Sequence, residues 1–225
     1  MDQRCRGILH GAQIMRHVKA PADKHHDHSA PARSHQMIKG IIFDCDGTLA
    51  DTMPLHWRAW QIISARHRIH FPIDRFYSLG GVPSRDILKM LSAEQGLELD
   101  HLAVAREKEA EYLPLIAQVE PINAVVGIAR ENFGKVPMAV ASGGTSHGID
   151  QVLAHLGIRS LFQAVVTSEM VAHQKPAPDI FLEAARQLGV PPHLCRAYED
   201  TDLGMQAIRA AGMEAVDVRK LFLRG

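Results

Sequence analysis

The segment Ile41-Ile42-Phe43-Asp44-Cys45-Asp46-Gly47-Thr48-Leu49 sets two carboxylates two residues apart, directly behind a short apolar run. A buried strand with that ending delivers both acids to the carboxyl edge of an open α/β sheet, where such sheets hold their ligands. Two acids at one spot repel each other, so the arrangement asks for a cation or a shared proton. A hard metal with oxygen ligands, such as Mg²⁺, is the usual remedy. One carboxylate can then attack an electrophile while the other moves protons. Gly47 permits a sharp turn, and Thr48 offers a hydroxyl and a backbone amide to an anion. Cys45, between the acids, reads as a packed small residue rather than a nucleophile.

Three later places carry chemistry of the same kind. Ser142, followed by Gly143 and Gly144, offers a hydroxyl and open amides for phosphoryl oxygens at a helix start, although such a triplet alone is more often a turn. Lys175 precedes Pro176, which stiffens its backbone, and its ammonium could neutralise both a phosphate and Asp44; taken alone it is an ordinary surface lysine. Glu199 and Asp200 follow the strand-like Cys195-Arg196-Ala197-Tyr198 and, read alone, would merely cap a helix.

The elements that must position these groups follow from periodicity. Ile41–Phe43, Met138–Ala141, Ala164–Val166 and Ala215–Val216 are short apolar runs, mostly separated by helix-like segments, as parallel strands with crossover connections require. Helices are expected over Ile149–Leu156, Pro178–Leu188 and Leu203–Ala211, each closed by a glycine (Gly157, Gly189, Gly212). The fold class is therefore α/β, a doubly wound parallel sheet. Between Met53 and about Glu120 strand signals fade, and helices are expected over Leu55–Arg66, Ser84–Ser92 and Asp100–Gln118, the last crossed by Pro114. That divides the chain into a catalytic core, 37–52 and 121–225, and an inserted helical cap, 53–120. Residues 1–36 hold six of the 14 histidines without sustained periodicity and read as a disordered, His-rich tail. Its His25, His26 and His28 are taken as solvated rather than metal-bound. Met37 opens the patterned sequence and is a second candidate for the start of translation.

Composition sets outer limits. Lys plus Arg and Asp plus Glu both number 25, which leaves no global field for nucleic acid or anionic lipid. Charged residues and 12 prolines interrupt every apolar run short of membrane-spanning length. Three scattered cysteines make neither a disulfide framework nor a zinc site, and fit the cytoplasm.

Taken in order, DxDGT after an apolar strand, Ser142, Lys175 in HQKPAPD and Glu199-Asp200 resemble the four motifs of the haloacid dehalogenase-like phosphohydrolases, over roughly Met37 to Phe222. The resemblance implies a Rossmann-like core and an aspartyl-phosphate formed on Asp44. It makes Asp46 the proton donor and acceptor, with Ser142 and Lys175 offsetting charge on the phosphoryl oxygens. Mg²⁺ would be held by Asp44, Glu199, Asp200 and a backbone carbonyl of Asp46. An acid at position 46 points to phosphate esters rather than carbon–phosphorus bonds. The helical cap resembles the branch containing β-phosphoglucomutase and fructose-1-phosphate phosphatase. There Thr52, His56 and Lys108 have counterparts, with Trp60 completing an HxxxW hinge pattern, while Gly81, Ser84, Arg85 and Gly143 complete the substrate-contacting set. The mutase's cap-loop lysine falls on Gly80, and its cap arginine falls on Ser84, one place from Arg85. Those losses weigh against the first alternative, a β-phosphoglucomutase, and intact Asp44, Asp46, Lys175 and Asp200 weigh against the second, a non-enzymatic metal- or partner-binding protein; the expectation is a Mg²⁺-dependent phosphatase of a small phosphorylated sugar, working as a monomer.

Overall fold

A computed structural model describes residues 37–222; the expected tail and its histidine cluster lie outside the described residues. The chain enters through β1 (Gly40–Phe43), turns into β2 (Ala50–Asp51), and then runs through α1 (Met53–His67), α2 (Ile73–Ser78), α3 (Ser84–Gln95) and α4 (His101–Tyr112). A 3-10 turn (Leu113–Gln118) leads to β3 (Glu120–Pro121), which pairs antiparallel with β2. The chain continues through α5 (Asn123–Asn132), β4 (Met138–Ser142), α6 (Ser146–His155), β5 (Ala164–Thr167) and α7 (Asp179–Leu188). It ends with β6 (Cys195–Glu199), α8 (Asp202–Ala210), β7 (Glu214–Asp217) and α9 (Arg219–Phe222).

The five long strands form one parallel sheet in the order β5-β4-β1-β6-β7. The doubly wound sheet expected from the apolar runs is thus present. The order reverses at β1, whose neighbours lead away in opposite directions and open a crevice at its carboxyl end. Alternation along β1 feeds both faces: Ile41 and Phe43 join one apolar cluster, Ile42 the other. Each such fully buried aliphatic or aromatic side chain contributes about 1.5–3 kcal/mol, so the strand carrying both acids is anchored from two sides.

The four helices after β2 hold a third apolar cluster of their own, with Trp60, Ile63, Phe71, Phe76, Leu88 and Leu91 among its members. The helix expected over Asp100–Gln118 is shorter: α4 stops at Tyr112, and Pro114, which cannot donate its amide, lies in the 3-10 turn. The periodicity reading does not give the six-residue α2, the two-residue strands β2 and β3 or the four-residue α9, all too short to show a pattern. Nor does it give α5, which lies between the expected cap and Met138. Among the described residues no helix is long and apolar enough to cross a membrane.

Candidate active site

β1, β4 and β6 end side by side and bring Asp44, Ser142 and Glu199 to one edge. Asp44 continues the β1 ladder by donating its amide to the Tyr198 carbonyl (3.0 Å). The chain then folds back on itself: Leu49 and Ala50 both donate to the Cys45 carbonyl (2.9 and 3.0 Å). Gly47 holds φ of +84°, and a Cβ there would run into the Asp200 carboxylate, so only glycine fits. The Thr48 hydroxyl, expected to greet an anion, instead donates to Asp200 Oδ1 (3.0 Å) and is fully buried. It ties the first turn to the end of β6.

Asp44, Glu199 and Asp200 each aim a carboxylate oxygen into one small space, all within 4.8 Å of one another. Lys175 Nζ donates to Asp44 Oδ1 (2.6 Å) and Glu199 Oε2 (2.7 Å). None of these three side chains is more than 4% exposed. Burial opposes charge on Lys175, but attraction from Asp44 and Glu199 holds its pKa above that of a free lysine. Burial, then repulsion from Glu199, lifts Asp44 well above the usual carboxylate range, and the same pair of causes lifts Asp200 to about 7. The other Glu199 oxygen accepts from the Asp200 amide, the Thr201 amide and the Thr201 hydroxyl (3.2, 3.0 and 2.8 Å). Gly204 leaves room for that carboxylate, since a Cβ there would overlap it. One ammonium against three carboxylates, two buried and Asp200 half-buried, leaves negative charge on an all-oxygen donor set, which fits a hard divalent cation.

The Asp46 carboxylate does not join that group. Its Oδ1 accepts from the Thr52 hydroxyl (2.7 Å) and His56 Nε2 (3.3 Å), and its Oδ2 from the Ser142 hydroxyl (3.1 Å). Of the four acids expected around a metal, three converge by their side chains; Asp46 turns the other way to meet the first helix. Burial pushes its pKa up, but the bonds from His56 and Thr52 win and hold it below the ordinary range. Behind it, Lys108 Nζ donates to His56 Nδ1 (2.7 Å), which places the ring proton on Nε2, facing Asp46. Burial, then the Lys108 charge, depresses the His56 pKa and keeps the ring neutral; burial lowers Lys108 as well. The ring stacks on Tyr112, with centroids 3.8 Å apart.

The loop between α2 and α3 roofs the site. Gly81, with φ of +82°, lies over Lys175: a Cβ there would meet Lys175 Cδ at 3.3 Å. Its carbonyl stands where a Gly143 Cβ would be. Beneath is a cavity of about 350 Å³ bordered by Asp44, Asp46, His56 and Lys108 from below and Gly81 and Ser84 from above. Arg85 also borders it, but the side chain is exposed and donates to Asp86 (3.1 Å). Every expected substrate-contacting residue except Thr52, which acts on Asp46, therefore lines this cavity, and Thr52 reaches it through that acid.

A family model for haloacid dehalogenase-like hydrolases matches residues 38–212. The chain belongs to the haloacid dehalogenase-like hydrolases. Fructose-1-phosphate phosphatase YqaB of Escherichia coli is 43% identical over 188 residues, covering 83% of this chain and 100% of that one. β-Phosphoglucomutase of Bacillus subtilis is 34% identical over 193 residues, covering 80% and 83%. Among solved structures, β-phosphoglucomutase from Clostridium difficile superposes with a TM-score of 0.74 at 27% identity, covering 83% of this chain and 88% of that one. The resemblance read from the four motifs is met, and this hydrolase is an enzyme of the phosphatase class.

Several cavity residues of the hydrolase had no signal in its motifs. Tyr112 sits four places after Lys108, on one face of α4, a spacing that would have pointed to it. Its hydroxyl is buried without a partner among the described residues, and burial raises its pKa. Glu109, Thr145 and Glu169 carry no local pattern at all. Trp60 packs edge-on against Phe71 inside the third apolar cluster, so it supports the helices as well as bordering the cavity.

Proposed function

We propose that this chain is a Mg²⁺-dependent phosphatase of a small phosphorylated sugar, of the fructose 1-phosphate kind, working through an aspartyl-phosphate on Asp44. The observation that carries the reading is the unlike surroundings of the two acids on one strand end. Asp44 has one oxygen held by Lys175, while the other has no hydrogen-bond partner among the described residues. That free oxygen is the nucleophile. Asp46 is held by hydroxyls and a neutral histidine, and an incoming phosphate dianion pushes its pKa back up toward useful acidity. As Asp44 oxygen bonds to phosphorus, the ester bond breaks and Asp46 hands its proton to the departing sugar oxygen. Asp46 then takes a proton from water as that water attacks phosphorus, and the bond to Asp44 breaks to release phosphate. Lys175 and the Ser142 hydroxyl face the charge that builds on the phosphoryl oxygens. Mg²⁺ held by Asp44, Glu199 and Asp200 would supply the positive charge that lets two anions approach.

In the same proposal, residues 53–120 act as a cap over a core of 37–52 and 121–225, and the enzyme works as a cytoplasmic monomer. Cys45 and Cys195, buried free thiols, fit a reducing compartment. A mutase must instead hold a bisphosphate while it turns around, which needs fixed cations under the cap. Here position 80 is glycine and Arg85 is spent on Asp86. The test is phosphate release from a panel of sugar phosphates with Mg²⁺ and with EDTA, beside a β-glucose 1-phosphate isomerisation assay. Mg²⁺-dependent release from sugar monophosphates is expected; predominant glucose 6-phosphate would transfer the assignment to the mutase.

A further inference from the structure

One wall of the cavity is the N-terminal end of α6, a ten-residue helix whose first amides and dipole would ordinarily draw an anion. The protein has filled it with its own charge. The Ser146 amide donates to Glu169 Oε2 (2.9 Å), from the turn after β5. The Gly148 amide donates to the Thr145 hydroxyl (3.2 Å), which in turn donates to Glu109 Oε1 (3.0 Å), from α4 above. Glu109 Oε1 also lies 2.6 Å from where a Gly148 Cβ would stand, so glycine there makes room for the carboxylate. Both glutamates border the cavity. Of the cations beside them, Lys108 donates to His56 and lies 3.9 Å from Glu109 Oε2, Arg85 pairs with Asp86, and Arg106, also at the cavity edge, is exposed one turn before Glu109 on the same helix.

We propose that Glu109 and Glu169 are specificity-determining residues that occupy the α6 N-terminus with negative charge, so that the enzyme accepts sugar monophosphates and turns away sugars carrying a second phosphate. The inference rests on the phosphatase reading and adds to it the distal end of the substrate. A second phosphate entering there meets two carboxylates instead of free amides, the half-buried Glu109 and the exposed Glu169, and repulsion between like charges at that rim acts over about a Debye length and weakens with salt.

The experiment compares kcat/KM for a hexose monophosphate and the matching hexose bisphosphate. It uses the wild-type chain and Glu109→Gln, Glu169→Gln and the double variant. Glutamine keeps an accepting oxygen for Thr145 and Ser146 and removes only the charge. The expected result is a wild type that prefers the monophosphate, and a bisphosphate-to-monophosphate ratio that rises about tenfold in the double variant. In the wild type alone, raising ionic strength from about 0.02 to about 0.5 M should narrow the preference, an independent reading that survives if a variant fails to fold. Monophosphate turnover with a ratio unmoved by charge removal and by salt would overturn this inference and leave the phosphatase standing. No release from any monophosphate would overturn both.

Discussion

Asp44 and Asp46 are the same residue type two places apart, yet their partners set them to different work: one is lifted by burial among acids, the other lowered by hydroxyls and a histidine. Replacing Asp44 by asparagine keeps the shape and removes the nucleophile, so Asp44→Asn should lose turnover by about 10⁴-fold or more while melting no lower than the wild type. Its Tm should hold because one of three crowded acids has lost its charge; near-normal phosphate release would defeat the assignment. Lys175→Met does the opposite, stripping the counter-charge from two buried carboxylates. A loss of about 3–5 kcal/mol is expected in urea unfolding at pH 8. The loss should shrink at pH 5, where Asp44, with its raised pKa, takes up a proton.

At the scale of elements, what matters is how closely the roof loop between α2 and α3 approaches the end of β4. Gly143 has no need of glycine for its own backbone, since its φ is not in the left-handed region, but its missing Cβ admits the Gly81 carbonyl. Gly143→Ala should therefore hold the roof open, lowering kcat/KM by about ten- to a hundredfold with Tm nearly unchanged. An alanine variant with full activity would show that closure to this depth is not needed. Gly80 lies against Thr201, whose methyl would be 2.9 Å from a new Cβ. Gly80→Lys should thus shift the product ratio, read by phosphorus NMR with a bisphosphate primer, only modestly toward phosphoryl transfer to sugar.

For the molecule as a whole, the acidic group links pH, metal and stability. Asp200, raised to about 7, keeps its proton when folded over a range of pH where the unfolded chain has released it. The folded state binds more protons there, so Asp200 costs stability progressively as pH climbs from about 4 to about 7, and Asp44 adds to this in the same direction. Asp46, held low, contributes stability lost only in acid below about pH 4. Lys175, held high, contributes stability lost only in strong base. His56, lowered, works the other way from the acids but falls silent above about 6.5. As pH rises past about 7 Asp200 releases its proton, so Mg²⁺ should raise Tm over an EDTA control by several degrees at pH 8 and by much less at pH 5. Equal shifts at both would rule out this cluster as the metal's binding place.

Some of this was decided locally. The strand before Asp44 alternates between two apolar clusters and needs nothing distant to be recognised, and the DxDGT turn shows its chemistry in a few consecutive residues, whereas the Gly-Gly after Ser142 and the lysine before Pro176 gain theirs from their order along the chain. Pro114 falls inside the helix expected over Asp100–Gln118, and the pattern does not show that α4 already stops at Tyr112. Side-chain direction was decided elsewhere. Whether Asp46 faces the acids or the first helix depends on Thr52, His56 and Ser142, the last 96 residues away. Thr48 finds Asp200 across 152 residues, and Lys175 finds Asp44 across 131. The carboxylates at the start of α6 come from two segments that meet there only once the helices after β2 close over the sheet. The sequence alone determined the strand, the acids and the order of the motifs, because backbone pattern and residue chemistry are local. Only the tertiary structure decided which hydrogen bond each buried polar group makes, because a buried donor or acceptor takes whatever partner the packed chain brings within about 3 Å.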